Sequence, residues 1–199
     1  MVEAADGCLA ATSAALTFYG QGEFIPTPYP LEDPRWNFSR SLGERNGIFV
    51  GTREWNVPSR HHLAALLAAT GLGEPVTVFD PHPRACRKLL AALGRSTDSL
   101  RILEKRLPYC DYLAEMSRHR IVFQADRSAV PGQVAGDALL CRMPCLGGDG
   151  AIDRLGFPET CGYGRSLGEL TGLAAMLLRD AGFLQRDTSW PRRNGPGNG

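Results

Sequence analysis

"IVFQADRSAVPGQVAGDALLCRMPCLGG", Ile121–Gly148, carries the pattern that repeats along the chain. It opens with a short apolar, partly β-branched run, Ile121 to Phe123. A polar turn containing Pro131 and Gly132 follows, then a helix-length segment, Gly132 to Arg142, then a second apolar run, Met143 to Leu146. A run too short for a helix, a turn, a helix and another such run make a βαβ unit with parallel strands. The turn also raises a chemical question, because the lone acid Asp137 lies in the helix just beyond it.

The same alternation extends upstream. Ile48 to Val50, Val76 to Phe79 and Leu100 to Leu103 are further short apolar runs. Between them lie the helix-length segments Arg60 to Ala69, Arg84 to Leu93 and Tyr109 to Arg118. A last helix, Leu167 to Asp180, carries leucines and a methionine at helical spacing and ends before Gly182. Runs of this kind, separated by helices, belong to a parallel sheet covered on both faces. The expectation is an α/β fold: a Rossmann-like, doubly wound parallel sheet of five strands in three α/β/α layers.

The chain's 199 residues suit one domain, and 43% hydrophobic with 22% charged residues is ordinary for a globular protein with its own core. A net charge of +1 gives no general field for nucleic acid or an anionic membrane. No apolar run approaches the roughly 18 residues of a membrane span, and the N-terminus lacks a secretion-signal pattern. The expected location is therefore cytoplasmic. None of the six cysteines forms the paired C-x-x-C spacing of zinc modules, so they read as core or loop thiols.

The ends differ from the middle. "FIPTPYPLEDPRW", Phe24–Trp36, has four prolines and reads as a linker or edge segment. Before it, Val2 to Tyr19 reads as a short strand and helix. The organisation expected is an N-terminal segment and Pro-rich linker over 1–36, the Rossmann-like domain over 37–186, and a disordered Gly/Pro-rich tail over 187–199.

Ligands of open parallel sheets bind beyond the carboxyl ends of the strands. After the first main strand comes "GTREWNVPSRHH", in which Gly51 allows close backbone approach and Arg53 and Arg60 carry forked guanidinium groups suited to phosphate. Ser59 suits a helix cap there. After the fourth comes "QADRSAVPG", where Ser128 is either a turn cap or a phosphate donor and Gly132 leads into a helix whose first N–H groups form an anion site. After the fifth comes "GGDG", with Asp149 read as a turn residue. Donors and glycines at three strand ends fit a nucleoside diphosphate better than an uncharged metabolite. His61 and His62 beside the site, His82 in a turn, His119 flanking a strand, and Trp36 and Trp55 read as structural.

With these residues in order, the chain resembles the C-terminal, nucleotide-sugar-binding half of retaining glycosyltransferases of GT-B fold. That group carries a Glu, seven residues, then a second Glu, with a Gly three and a Pro fifteen positions after the first. Here Gly132 takes the glycine, Asp137 the second acid and Pro144 the proline. "IFVGTREW" is similar to the segment that opens this domain, and the passage from Ala5 to Pro30 is similar to the exit from the family's N-terminal domain.

The resemblance implies that Asp137 accepts hydrogen bonds from the ribose, and that backbone near Arg106 and Leu107 in "EKRLPY" lies against the base. It further implies a nucleotide diphosphate sugar as co-substrate, no tightly bound metal and no other cofactor. An unidentified acceptor and an N-terminal acceptor domain, of which only the tail is here, are the implied partners. Two departures stand out: Ala129 replaces the first acid, and Asp137 is one methylene shorter than Glu. Rival readings are a non-catalytic nucleotide-sugar-binding or protein-interaction module and a nucleotide-sugar epimerase fragment. The absence of G-x-G-x-x-G after the first strand argues against a dinucleotide domain, and a P-loop is missing as well.

Overall fold

The computed structural model describes residues 8–18, 22–52 and 55–180. Arg53 and the expected tail over 187–199 lie outside the described residues. The centre is a five-stranded, all-parallel sheet of β3 (Ile48–Val50), β4 (Val76–Phe79), β5 (Leu100–Leu103), β6 (Ile121–Phe123) and β7 (Cys145–Leu146). A separate pair, β1 (Cys8–Ala10) and β2 (Gly22–Phe24), is also parallel.

The main strands lie in the order β5-β4-β3-β6-β7. The chain thus works outward from β3 in one direction, then returns past it and works outward in the other. This order is compatible with a Rossmann-like fold. The helices sort accordingly. The core containing α1 (His62–Thr70), α2 (Pro83–Ala92) and α6 (Leu167–Arg179) takes Ile48, Val50, Val76, Val78, Ile121 and Phe123 from the sheet. The core containing α3 (Tyr109–Met116), α4 (Gln133–Leu140) and α5 (Ala151–Gly156) takes Phe49, Phe79, Val122 and Cys145. Successive strand residues face opposite cores, the two-residue alternation of a pleated strand. Because both faces are covered, both positions are apolar and the runs appear continuous in the sequence.

The expected strands and long helices are present, with shifted ends. The last strand shrinks from Met143–Leu146 to Cys145–Leu146: Pro144 accepts from the Val122 N–H at 2.9 Å but has no N–H to return. The six-residue α5 has no counterpart among the expected helices, because it is short, starts after Gly150 and ends on Gly156. In the N-terminal segment the helix is a 3-10 turn, Ser13–Phe18, and β2 was not anticipated.

The Pro-rich stretch is more than a connector. Tyr29, Leu31, Trp36 and Phe38 pack against the α3/α4/α5 core, and the Phe38 N–H donates to the Leu140 carbonyl at 3.0 Å. The Tyr29 ring rests on Gly136 of α4, where an added Cβ would fall 1.7 Å from it. Prolines keep this stretch out of the sheet, and its apolar side chains seat it on a helix instead.

Candidate functional site

The strand order reverses between β3 and β6, and a cleft of about 710 Å³ opens beyond their carboxyl ends. That is the size of a small-molecule site, at the place where doubly wound sheets bind ligands. Of the residues singled out in the sequence, Gly51, Arg60, Arg106, Leu107, Gly132 and Asp137 all line it. They come from three separate stretches of chain, around 51–60, 106–107 and 132–137, which only the winding of the sheet brings together.

Gly51 continues β3, its N–H donating to the Phe123 carbonyl at 3.0 Å. A Cβ there would lie 2.4 Å from Val134 Cγ1, so glycine lets α4 come close to the strand end. Gly132 has φ of 90° at the N-cap position of α4, a left-handed conformation. As a glycine, Gly132 offers no side-chain cap, and the first residues of the helix, Gln133 and Val134, line the cleft.

Asp137 lies one turn further along α4 and is buried, 2% exposed, at the cleft wall. Tyr109 donates its hydroxyl to Asp137 Oδ1 at 2.6 Å, and Tyr112 donates a second hydroxyl. Burial pushes the Asp137 carboxyl up to about 6, and the two hydroxyls hold it from rising further. Buried in this way, Asp137 neither faces solvent nor pairs with Arg142. Arg142 instead donates to the Leu31 carbonyl.

Arg60 reaches the cleft but is ion-paired with Asp126, which follows β6 and is itself buried. Ser128 is not in the cleft wall. Its N–H caps on Asp126 Oδ1 at 2.8 Å and its hydroxyl donates to Ser59 Oγ at 2.9 Å, so it fastens the turn after β6 to the turn before α1. Ser59 has the same fastening role and lies in a 3-10 turn, and His61 takes the position before α1 with φ of 45°. Asp149 pairs with Arg154 at 2.8 Å, as befits a turn residue. His119 is buried, with Nδ1 at 3.1 Å from the Glu115 and Met116 carbonyls at the end of α3.

No protein-family model matches the chain, and no curated protein is significantly similar to it.

The site holds several groups that the sequence reading passed over. Asp153, in the first turn of α5, lines the cleft at 3% exposure. It accepts from the Gln124 side chain at 2.9 Å and the Gly150 N–H at 3.1 Å. Burial first, and then the nearby Asp126 charge, push this carboxyl up to about 7, against the pull of the Gly150 hydrogen bond. Tyr29, from the Pro-rich stretch, closes one side, and its hydroxyl is pushed up to about 12 by burial with Asp137 and Asp153 adding to it. Tyr109 stands between Trp36, 5.8 Å away by ring centroid, and Tyr112, stacked at 6.3 Å, and forms an aromatic wall beside Leu107.

For Thr52 and Asp126 a usable signal existed, since each follows a strand by a residue or two. For Asp153 and Tyr29 none did, because neither adjoins a main strand. Among the described residues there is no cluster of three or more His, Cys, Asp or Glu side chains able to hold a metal ion, and no helix long and apolar enough to cross a membrane.

Chemically, the cleft lining offers the start of α4, Arg60 and Arg106 together with three buried acids, Asp137, Asp153 and the Arg60 partner Asp126. Anions gain from the α4 N-terminus and guanidinium groups, and vicinal hydroxyls gain from an acceptor carboxylate. The aromatic wall beside Leu107 suits a planar ring.

Proposed function

We propose that the cleft binds a nucleotide diphosphate sugar and that the chain is the donor-binding part of a glycosyltransferase of GT-B type, which transfers the glycosyl group to an unidentified acceptor. One observation carries this reading: Gly51, Arg60, Arg106, Leu107, Gly132 and Asp137, chosen from the sequence, converge on one cleft at the switch point of the sheet. In the proposed pose the diphosphate faces the α4 N-terminus, Arg60 and Arg106. The ribose hydroxyls donate to Asp137, and the base lies along Leu107 and Tyr109.

A second reading has its own observation. Ala129 brings no carboxylate to the position where the resembled family places its sugar-facing acid, which favours a module that binds a nucleotide sugar without turning it over.

Calorimetric titration with UDP, GDP, ADP and TDP tests both readings at the level of binding. One diphosphate is expected to bind, and Asp137→Ala is expected to weaken it by about 1–3 kcal/mol through loss of a charged acceptor. Asp137→Asn, which keeps the side-chain volume, separates this loss from a packing defect. Failure of all four diphosphates to bind would sink the nucleotide reading. Equal affinity in wild type and both variants would remove Asp137 from the site. If one binds, transfer or hydrolysis of the matching nucleotide sugar distinguishes the enzyme from the binding module.

A further inference from the structure

We propose that the Thr52 hydroxyl is a hydrogen-bond donor to the phosphate of the ligand, and that His62 is the positioning residue that turns it toward the cleft. The inference rests on the nucleotide reading and adds a specific donor to it.

Thr52 follows β3 and Gly51, lines the cleft, and is 5% exposed. Its Oγ1 lies 3.0 Å from His62 Nδ1, and among the described residues it has no other hydrogen-bond partner. His62 is 3% exposed in the first turn of α1, and the Trp55 ring stands edge-on to it at 4.5 Å between centroids. Trp55 is held there by donating its indole N–H to Asp80 at 3.0 Å.

The hydrogen can lie on either side of the Thr52–His62 contact, and the other ring nitrogen decides which. His62 Nε2 is buried and has no hydrogen-bond partner among the described residues. Burial holds the ring neutral, with its pKa down at about 4, so only one nitrogen carries a hydrogen. Were that hydrogen on Nε2, a buried N–H would have no acceptor, the rarest kind of orphan in folded proteins. Placed on Nδ1, it is used, and Nε2 is left with only an unpaired lone pair.

The Nδ1–H tautomer therefore donates to Thr52 Oγ1. Thr52 then keeps its own hydroxyl hydrogen, for which the protein provides no acceptor among the described residues. Thr52 lines the cleft beside Gly51, where the proposed pose puts the diphosphate. A hydroxyl with a satisfied acceptor side and an unused donor is built to receive an oxyanion.

The test pairs calorimetry with spectroscopy on the full chain. UDP, GDP, ADP, TDP and the corresponding nucleosides are titrated into wild type, Thr52→Val and Thr52→Ser. The bound diphosphate is expected to lose about tenfold or more in affinity with Thr52→Val and to recover with Thr52→Ser, while nucleoside affinity stays unchanged. Nitrogen-15 spectra of the His62 ring are expected to show a neutral imidazole protonated at Nδ1.

Wild type that binds no diphosphate overturns the nucleotide reading and this inference with it. Wild type that binds, with Thr52→Val unchanged or with equal losses for diphosphate and nucleoside, overturns the Thr52 role alone. A ring protonated at Nε2 overturns the part given to His62.

Discussion

Replacing Gly147 with alanine is expected to cost at least about 3 kcal/mol of stability, the largest effect of any single methyl group considered for this fold. Two penalties combine at this position. Its φ is 91°, a left-handed conformation that an L side chain adopts only with strain of about 1–3 kcal/mol. The new Cβ would also lie 1.9 Å from the Gln124 carbonyl oxygen, a backbone atom that cannot swing aside as a side chain can.

That carbonyl belongs to the end of β6, so relief of the collision requires the loop after β7 to pull away from the strand. The same loop is fixed by the Gly147 N–H donating to Thr160 at 3.0 Å and the Gly162 N–H donating to Gly148 at 2.7 Å. Gly164→Ala is the matched control. It has φ of 69°, but nothing lies within 4 Å of the added carbon, so strain alone should appear, near 1 kcal/mol. Chemical denaturation of both variants against wild type measures the difference. Equal losses would mean that the loop moves freely and that close contact with β6 does not hold it.

The second large effect is on the pH dependence of stability. The Asp153 carboxyl is raised in the folded state from its ordinary value of 3.8 to about 7. Between those values the folded chain holds a proton that the unfolded chain has lost, so stability falls as pH rises through this window. Above about pH 7 the loss is complete. Asp137, raised to about 6, acts in the same direction over a narrower range. His62 opposes them: its folded value is lowered from 6.5 to about 4, so its contribution is lost as pH falls from 6.5 toward 4.

Asp153 is thus the acid among these three whose effect persists above pH 6.5. From pH 5 to pH 8 it removes about 3 kcal/mol, and Asp153→Asn, which cannot ionise, should not show that decline. Denaturation of both proteins at the two pH values is the measurement, with the variant gaining relative to wild type at pH 8. Parallel profiles would show that Asp153 is solvated or paired in the folded protein. The direction also bears on the proposed ligand, because a neutral Asp153 at the cleft floor repels a diphosphate less than an ionised one does.

Much of the framework is legible along the chain. Short apolar runs separated by helix-length segments set five parallel strands and the helices between them, because strand burial on both faces and helix length leave local marks. Glycine before a helix and glycine after a strand marked Gly132 and Gly51, since turn conformation and close approach restrict residue type locally. Those marks, with the resemblance, were enough to choose six residues that line one cleft.

Other features depend on which distant segments meet, and they are set by the fold. Asp137 is an ordinary helix acid until Tyr109, 28 positions away, donates to it and the surrounding core desolvates it. Arg60 is a candidate phosphate ligand in the sequence and a partner of Asp126, 66 positions on, in the fold. The Pro-rich stretch resembles a linker until Tyr29 is found seated on Gly136. Periodicity and turn chemistry act over a few residues and can be read along the chain. Burial, ion pairing and proton affinity are sums over neighbours in space, and the winding of the sheet chooses those neighbours.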